Sequence, residues 1–382
     1  MTLDVRNDGP VDGGEPPPAG DPPSPADDLL AAPLYRLPQA EKDARLTTAL
    51  TALVHHHRAH CNAYRRLTDV LHGGERPYTR VADVPWLPVG LFKSHKLASV
   101  PDDQVTTTLT SSGTTGQRPS KIYLDRHTAA RQSRALARIM SELLGGKRLP
   151  MIVVDTRAVL DDRSHFSARG AGVLGMMTFG AQPLFALDRD LQLDVPAVEE
   201  FLRKHGHGPF LIFGFTYMVW AYFYQPLIER GLDLSHGILV HSGGWKKLVE
   251  QSVDNATFKA KLRAATGLAR IHNFYGMVEQ IGSVFVEGDD GLLYPPAFAD
   301  VVIRDPMTFE EMPTGQAGVV QTVSALPTSY PGHSVLTEDL GVVERVDVDV
   351  CGRLGKAIRI IGRAPRAELR WCSDTHAAEV GG

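Results

Sequence analysis

Apolar residues recur every three or four positions from about Gln39 to Leu71, where Leu46, Leu50, Leu53 and His57 form one stripe. That spacing predicts a helical stretch. A second runs from Arg126 to Leu144, with Leu136, Met140 and Leu143 on one face and Arg131, Arg134 and Arg138 on another, read as solvated. From Pro150 the period changes. Short β-rich runs at Met151–Asp155, Phe210–Phe215, Gly237–His241 and Arg270–Phe274 alternate with helical stretches, one of them from about Trp245 to Ala265. Further on, the segments near Ser283–Val286, Val301–Arg304, Gly318–Thr322, Val342–Val350 and Ala357–Ile361 read as strands between Gly and Pro turns. Alternating strands and helices followed by a strand-rich end predict an α/β fold with mixed sheets and an added β subdomain.

The first 28 residues do not fit either period. They hold seven acidic residues and one basic one, and nine of the 26 prolines fall within residues 1–38. A disordered acidic tail over 1–28 is expected. The chain of 382 residues, 43% hydrophobic and 22% charged, is otherwise ordinary for a globular protein with ample core. Its net charge of -4 gives no global nucleic-acid signature. Between Gly206 and Glu229 no Asp, Glu, Lys or Arg occurs, a length that would permit a membrane span. Pro209, Gly214 and Pro226 interrupt it and three tyrosines carry hydroxyls, so a buried strand followed by an apolar helix is expected instead. No basic region leads into an apolar core at the N-terminus, and a cytoplasmic location is expected. Cys61, Cys351 and Cys372 include no Cys-x-x-Cys pair, which argues against a disulfide framework and structural zinc. His55, His56, His57 and His60 form a cluster without a carboxylate on the same face, so helix packing is preferred to metal binding.

The sharpest feature is Thr110-Ser111-Ser112-Gly113-Thr114-Thr115-Gly116, followed by Gln117-Arg118-Pro119-Ser120-Lys121. Seven small residues in a row, five with hydroxyls, leave backbone N–H groups free to meet an anion, and Lys121 can add a point charge. The spacing is not that of a Walker P-loop. A flexible Ser/Gly/Thr linker is the alternative, but Ile122-Tyr123-Leu124 follows at once, and a phosphate loop is favoured. Gly170-Ala171-Gly172-Val173-Leu174-Gly175, with Asp190 beyond it, matches a dinucleotide-binding glycine pattern. No strand directly precedes it, so close helix packing through Gly and Ala explains it better.

The Ser/Thr loop resembles the phosphate-binding signature of the adenylate-forming enzymes. Within that superfamily the chain looks most like the acyl-protein synthetases of bacterial fatty-acid reductase systems, neighbours of phenylacetate–CoA ligase. Leu87-Pro88-Val89-Gly90-Leu91-Phe92-Lys93 and Leu97-Ala98-Ser99-Val100-Pro101 are similar to that family's approach segment. His241-Ser242-Gly243-Gly244-Trp245-Lys246-Lys247 is similar to its glycine-rich turn, Tyr275-Gly276-Met277-Val278-Glu279-Gln280 to its Tyr-Gly-x-x-Glu element, Thr337-Glu338-Asp339 to its Thr-Gly-Asp and Gly362-Arg363 to its hinge. The resemblance implies ATP and Mg²⁺ as cofactors and a carboxylic acid as substrate. Ser111, Ser112, Gly113, Thr114, Thr115 and Gly116 would hold the phosphates. Glu279 would bind Mg²⁺ and, with Lys121, serve catalysis. Tyr275 and Gly276 would meet adenine, Gly243 and Gly244 would allow close approach of the nucleotide, and Asp339 and Arg363 would meet the ribose. Phe215 and the aromatic stretch around it could line the acid pocket. His241 has two readings, a pocket residue or a core histidine.

In the family it resembles, a cysteine near the C-terminus accepts the acyl group, and Glu368-Leu369-Arg370-Trp371-Cys372-Ser373-Asp374 fits that segment. A thiolate is a strong nucleophile and Arg370 could lower its pKa; an unreactive tail cysteine is the alternative. The implied organisation is an adenylate-forming domain over 29–362 and a hinge and tail over 363–382. Only 19 residues follow Arg363, so the superfamily's C-terminal lid is expected to be absent or truncated. The implied activity is ATP-dependent formation of an acyl-adenylate and transfer to Cys372, for a partner acyl reductase. An acyl–CoA or acyl–carrier-protein ligase and a non-catalytic nucleotide-binding module are the alternatives.

Overall fold

The computed structural model describes residues 25–111, 119–160, 168–245 and 250–364. Helix α1 (Pro25–Ala31) opens it and begins within the last four residues of the stretch expected to be tail; residues 1–24 lie outside the described residues. The predicted 39–71 helix is two helices, α2 (Gln39–His60) and α3 (Asn62–His72), because Cys61 is extended and its Sγ accepts from the Tyr64 N–H at 3.5 Å. The stripe Leu46, Leu50, Leu53 and His57 is buried as expected. His57 packs parallel to His333 with ring centres 4.9 Å apart and meets Ser99 Oγ at 2.7 Å. Burial, with the neighbouring histidines, pushes its pKa well below the ordinary value. Among the described residues no group of three His, Cys, Asp or Glu could hold a metal.

Strand β1 (Leu87–Pro88) and helix α4 (Leu91–Ser94) precede a hairpin of β2 (Thr107–Thr110) and β3 (Lys121–Leu124). Helix α5 (Arg126–Leu144) has the predicted bounds, but of its arginine face only Arg134 is exposed. Arg131 is buried and lies 3.5 Å from Asp27, and Arg138 donates to the Ala32 carbonyl at 3.0 Å, so that face receives α1. Then follow β4 (Leu149–Thr156), α6 (Ala168–Met177), β5 (Gly180–Leu187), α7 (Val195–His205) and β6 (Phe210–Phe215). Short helices α8 (Thr216–Met218) and α9 (Gln225–Leu227) flank a π turn at Val219–Tyr224, and β7 (Gly237–Ser242) comes next. Helix α10 begins at Asn255 and ends at Thr266, later than the predicted Trp245 start, because Asp254 caps it by accepting from the Thr257 N–H at 2.7 Å.

The remaining strands are β8 (Arg270–Tyr275), β9 (Phe285–Glu287), β10 (Leu293–Tyr294), β11 (Ala299–Arg304), β12 (Ala317–Ser324), β13 (Ser334–Val346) and β14 (Lys356–Arg363). The strand predicted at 342–350 is the end of a longer one. It stops where Asp347 turns to φ 53° and accepts from the Gly355 N–H.

Twelve of the described strands form one sheet, in the order β11-β12-β13-β14-β10-β9-β8-β7-β6-β4-β5, with β1 beside β13. From β5 to β8 the pairs are parallel; from β8 through β9, β10, β14, β13, β12 and β11 they are antiparallel. The β subdomain is thus a continuation of the parallel sheet. Both faces of the parallel half are buried, as its apolar runs require. Met151, Val153, Leu211 and Phe213 join the core under α2 and α5, while Ile152, Val154, Ile212 and Leu239 pack against α7, α10 and the π turn. Among the described residues no helix is long and apolar enough to cross a membrane.

Asp300 on β11 fixes α2 to the antiparallel half. It is fully buried, accepts from Gln39 Nε2 at 2.6 Å and lies 3.6 Å from Lys356 Nζ and 4.0 Å from Lys42 Nζ. Burial alone would raise its carboxyl pKa, but Lys356 and Lys42 hold it below the ordinary carboxylate value. The stabilisation is therefore present at neutral pH and is lost as pH falls through that lowered pKa. Asp300→Ala leaves two lysines without their anion and should destabilise by about 3 kcal/mol in urea denaturation at pH 7; a loss within 0.5 kcal/mol, on the order of a surface change, would show that the charges do not anchor α2.

Candidate active site

Strands β6, β7 and β8 end side by side, Phe215 beside Ser242 and Ser242 beside Phe274. Sheets of this kind leave a crevice outside the carboxyl ends of their strands, where ligands bind. At this edge the Phe215 ring sits between two glycines. A Cβ at Gly172 would lie 3.1 Å from it and one at Gly243 3.4 Å. Within the Gly170–Gly175 pattern Gly172 thus packs α6 closely against Phe215, while a Cβ at Gly175 would meet no described atom within 4 Å. Gly243 has φ 86°, a left-handed conformation that side chains strain to adopt, and no described atom lies within 4 Å of a Cβ placed at Gly244. Among the described residues nothing covers Gly244.

Tyr275 closes β8 at the last parallel pairing. Its hydroxyl donates to Asp339 Oδ2 at 2.7 Å, and across the β13–β14 ladder Asp339 faces Arg363, Nε to Oδ1 3.9 Å. Burial raises the Asp339 carboxyl above the ordinary range, opposed by the Tyr275 hydrogen bond and the Arg363 charge. Burial and the Asp339 charge push the Tyr275 phenol well above its ordinary value, so it remains a donor. Gly276 follows it, where a Cβ would meet Val284 at 3.0 Å.

Glu279 lies on the next turn, a 3-10 turn at Val278–Gln280, and is 4% exposed. Gln280 holds that turn by donating to the carbonyls of Thr322 at 3.1 Å and Gly332 at 2.8 Å. Burial raises the Glu279 carboxyl; nearby Ser120, the residue's own backbone and then Lys93 oppose the rise, while Glu338 adds to it. Ser120 belongs to the neck of the Ser/Thr loop, where its N–H donates to Ser111 Oγ at 2.9 Å and its carbonyl accepts from the Ser111 N–H at 3.1 Å. Lys121 begins β3 beside Thr110 and is exposed. Ser112, Gly113, Thr114, Thr115 and Gly116 lie outside the described residues, as does Cys372.

The fold therefore joins Tyr275, Asp339 and Arg363 directly and brings Glu279 near Ser120 at the loop neck, whose buried hydroxyl has no hydrogen-bond partner among the described residues. His241 is not at this surface. It is 1% exposed, its Nδ1 is 3.0 Å from Thr216 Oγ1 and its ring centre 4.6 Å from that of Phe258. Burial pushes its pKa down to about 3, with Lys259 and His272 adding to the effect. The core reading of His241 is the one the geometry supports. Phe210 and Phe213 are core as well, so of the aromatic stretch only Phe215, Tyr217 and Tyr222 stay half-buried. Two contributors were not singled out from sequence, Ser120 and Lys93; nor was the ion pair of Arg169 Nε with the buried Asp155, 3.1 Å away near the end of β4. A lone carboxylate closing an apolar strand was the available signal for Asp155.

The fold is that of the adenylate-forming ligases. A 2-hydroxyisobutyryl-CoA ligase solved in complex with 2-HIB-AMP and CoA superposes with a TM-score of 0.64 at 18% identity, over 86% of this chain and 76% of that one. Within that class, residues 24–380 match the family described as acyl-protein synthetase, LuxE, and the chain belongs to it. Membership makes it an ATP-dependent acyl ligase. It is similar to two proteins named long-chain-fatty-acid–luciferin-component ligase. The one from Vibrio harveyi is 24% identical, over 91% of both chains. The one from Aliivibrio fischeri is 24% identical over 74% of this chain and 75% of that protein.

Because the Tyr275 hydrogen bond lowers the Asp339 pKa against burial, Tyr275→Phe should move the Asp339 titration upward, read by NMR of carbon-13-labelled aspartate. A midpoint unchanged from wild type would mean the bond is absent in solution.

Proposed function

We propose that this protein activates a fatty acid with ATP as an acyl-adenylate and passes the acyl group to the thiol of Cys372, from which a partner acyl reductase takes it on to the aldehyde. Family membership supports the activation, and the fatty acid is the substrate class in the names of both curated relatives. The observation that carries the reading is the Tyr275–Asp339–Arg363 contact. Residues from three distant segments meet beside an open Gly243–Gly244 backbone and the neck of a hydroxyl-rich loop.

The residues fit ATP. Asp339 is a hydrogen-bonded acceptor for ribose hydroxyls, with Arg363 beside it, and the Tyr275 ring offers a face to adenine. The Ser111–Gly116 loop is composed to receive phosphates, and Lys121 at its exit supplies positive charge. Glu279, turned toward the loop neck, would hold Mg²⁺, a hard cation that takes carboxylate and phosphate oxygens and neutralises charge on the leaving pyrophosphate. In the first step a carboxylate oxygen of the acid attacks the α-phosphorus; the bond to the β-phosphate oxygen breaks, giving acyl-AMP and pyrophosphate. Positioning and charge stabilisation suffice for such a transfer. Phe215, between Gly172 and Gly243, would line the acyl chain's entry. In the second step the Cys372 thiolate attacks the acyl carbon, the carbon–oxygen bond to AMP breaks, and AMP leaves with the negative charge.

Incubation with ATP and radiolabelled tetradecanoate tests this. Acid-dependent ATP–pyrophosphate exchange and a hydroxylamine-sensitive label on the protein are expected. Cys372→Ala should abolish the label and keep the exchange, and Glu279→Gln should slow exchange by about a hundredfold. A coenzyme A thioester formed with no protein label would favour an acyl–CoA ligase. Absence of exchange with fatty and aryl acids alike would leave a nucleotide-binding module.

A further inference from the structure

A cavity of about 340 Å³ opens between the end of α3, the segment Ala82–Pro88 and the turn joining β11 to β12. None of its lining residues belongs to the Tyr275–Asp339–Arg363 or Ser120–Glu279 groups. Its volume is within the range of small-molecule sites.

Two flat rings form its apolar side. Trp86 packs against Phe309 with centres 5.2 Å apart and edge-on to His72 at 4.9 Å. Phe309 is held at φ 58°, a conformation a bulky residue adopts only under strain. Asp305 enforces it: its carboxylate accepts from the N–H groups of Met307 and Thr308, and its carbonyl accepts from the Phe309 N–H. Strain of this kind, imposed by surrounding bonds, concentrates at ligand sites.

The charged groups lining the cavity are two guanidiniums and one carboxylate. Asp83 is already satisfied, accepting from the Thr79 hydroxyl, the Arg80 N–H and the Arg80 guanidinium. Arg304 is buried and locked by Gln321, Phe309 and Ala82, which fixes its charge in place. Arg76 is exposed and makes no ion pair among the described residues. His72 Nε2 lies 2.8 Å from the Trp86 carbonyl. Its pKa is lowered by burial, against the Trp86 hydrogen bond, and the nearby Arg76 and Arg304 charges add to the lowering.

We propose that this cavity binds a small organic anion, a single carboxylate or phosphate on a flat apolar body, with the body against Trp86 and Phe309 and the anionic group toward Arg76 and Arg304. The assignment does not depend on acyl transfer to Cys372.

Naphthalene-2-carboxylate and its neutral carboxamide are suitable probes, titrated into the full chain and followed by tryptophan fluorescence and calorimetry. Both titrations are repeated with a saturating acyl-sulfamoyl adenosine, which occupies the adenylate site. The carboxylate should bind in both conditions, and the carboxamide at least tenfold more weakly. Arg76→Glu, at an exposed position, should weaken binding at least tenfold. Trp86→Phe should remove the fluorescence response while calorimetric heat persists. Phe309→Gly relieves the strained backbone, so it should lower affinity without lowering the melting temperature. Equal affinity for acid and amide, displacement by the acyl-adenosine, or affinity unmoved by Arg76→Glu and Phe309→Gly would each overturn the assignment. Absence of saturable binding at millimolar probe would do the same.

Discussion

The 2.7 Å hydrogen bond from Tyr275 to Asp339 is the point on which the site depends, because it ties together two halves of one sheet built on different principles. Tyr275 is the last residue of the last parallel strand. Asp339 lies on β13, four strands further along in the antiparallel half. Parallel strands need long crossovers, which here are helices, and their carboxyl ends collect loops on one edge. Antiparallel strands return by tight turns and can bring a hinge such as Gly362–Arg363 back to that edge. Only where the sheet changes character do loops from the first half face a ladder from the second.

Buried charge keeps that junction in register. On β9, Glu287 is fully buried and accepts from Lys259 Nζ at 2.7 Å, from the Asn273 N–H at 2.8 Å and from Asn255 Nδ2. One carboxylate thus fastens α10, β8 and β9 two residues before Tyr275. Asp300 does the corresponding work at the other end, joining Lys42 of α2 to Lys356 of β14. Such pairs add little net stability over an apolar core, since desolvation offsets the attraction. Their effect is to exclude alternatives: a one-residue slip of β8 would turn Asn273 away from Glu287 and leave the carboxylate unsatisfied.

This explains which parts were legible in the sequence. Strands β4, β6, β7 and β8 show as continuous apolar runs because both faces are buried, and α5 shows both its ends because Asp125 and Gly145 cap it. The Tyr275, Asp339 and Arg363 motifs were legible as ordered short matches. Their mutual contact was not, because sequence order says nothing of how an antiparallel ladder folds back. Arg131 on α5 was misread as solvated for a related reason: its partner Asp27 sits in a segment whose composition looks disordered. His241 was ambiguous because a histidine ending an apolar strand carries the same pattern whether it faces a crevice or the underside of the sheet. Its contacts with Thr216 and Phe258 come from elements distant in sequence.

The electrostatics of the site follow from the same arrangement. Burial raises both Glu279 and Asp339, and Glu338 raises each of them further, so three carboxylates crowd the junction. Tyr275, Arg363, Ser120 and Lys93 offset part of that repulsion and no more. In the proposed reading the remainder is met by the substrate. A ribose would bring hydroxyl donors to Asp339, and Mg²⁺ accompanying the phosphates would bring positive charge to Glu279. The chain's charge balance conceals this. Outside residues 1–28 it carries 39 basic and 37 acidic residues, yet at the edge where the strands end the acids are concentrated and at least half-buried. Net charge reports on the whole surface; affinity for a cationic or hydroxyl-bearing ligand is decided by these few carboxylates, of which Glu279 is buried and Asp339 and Glu338 are half-buried.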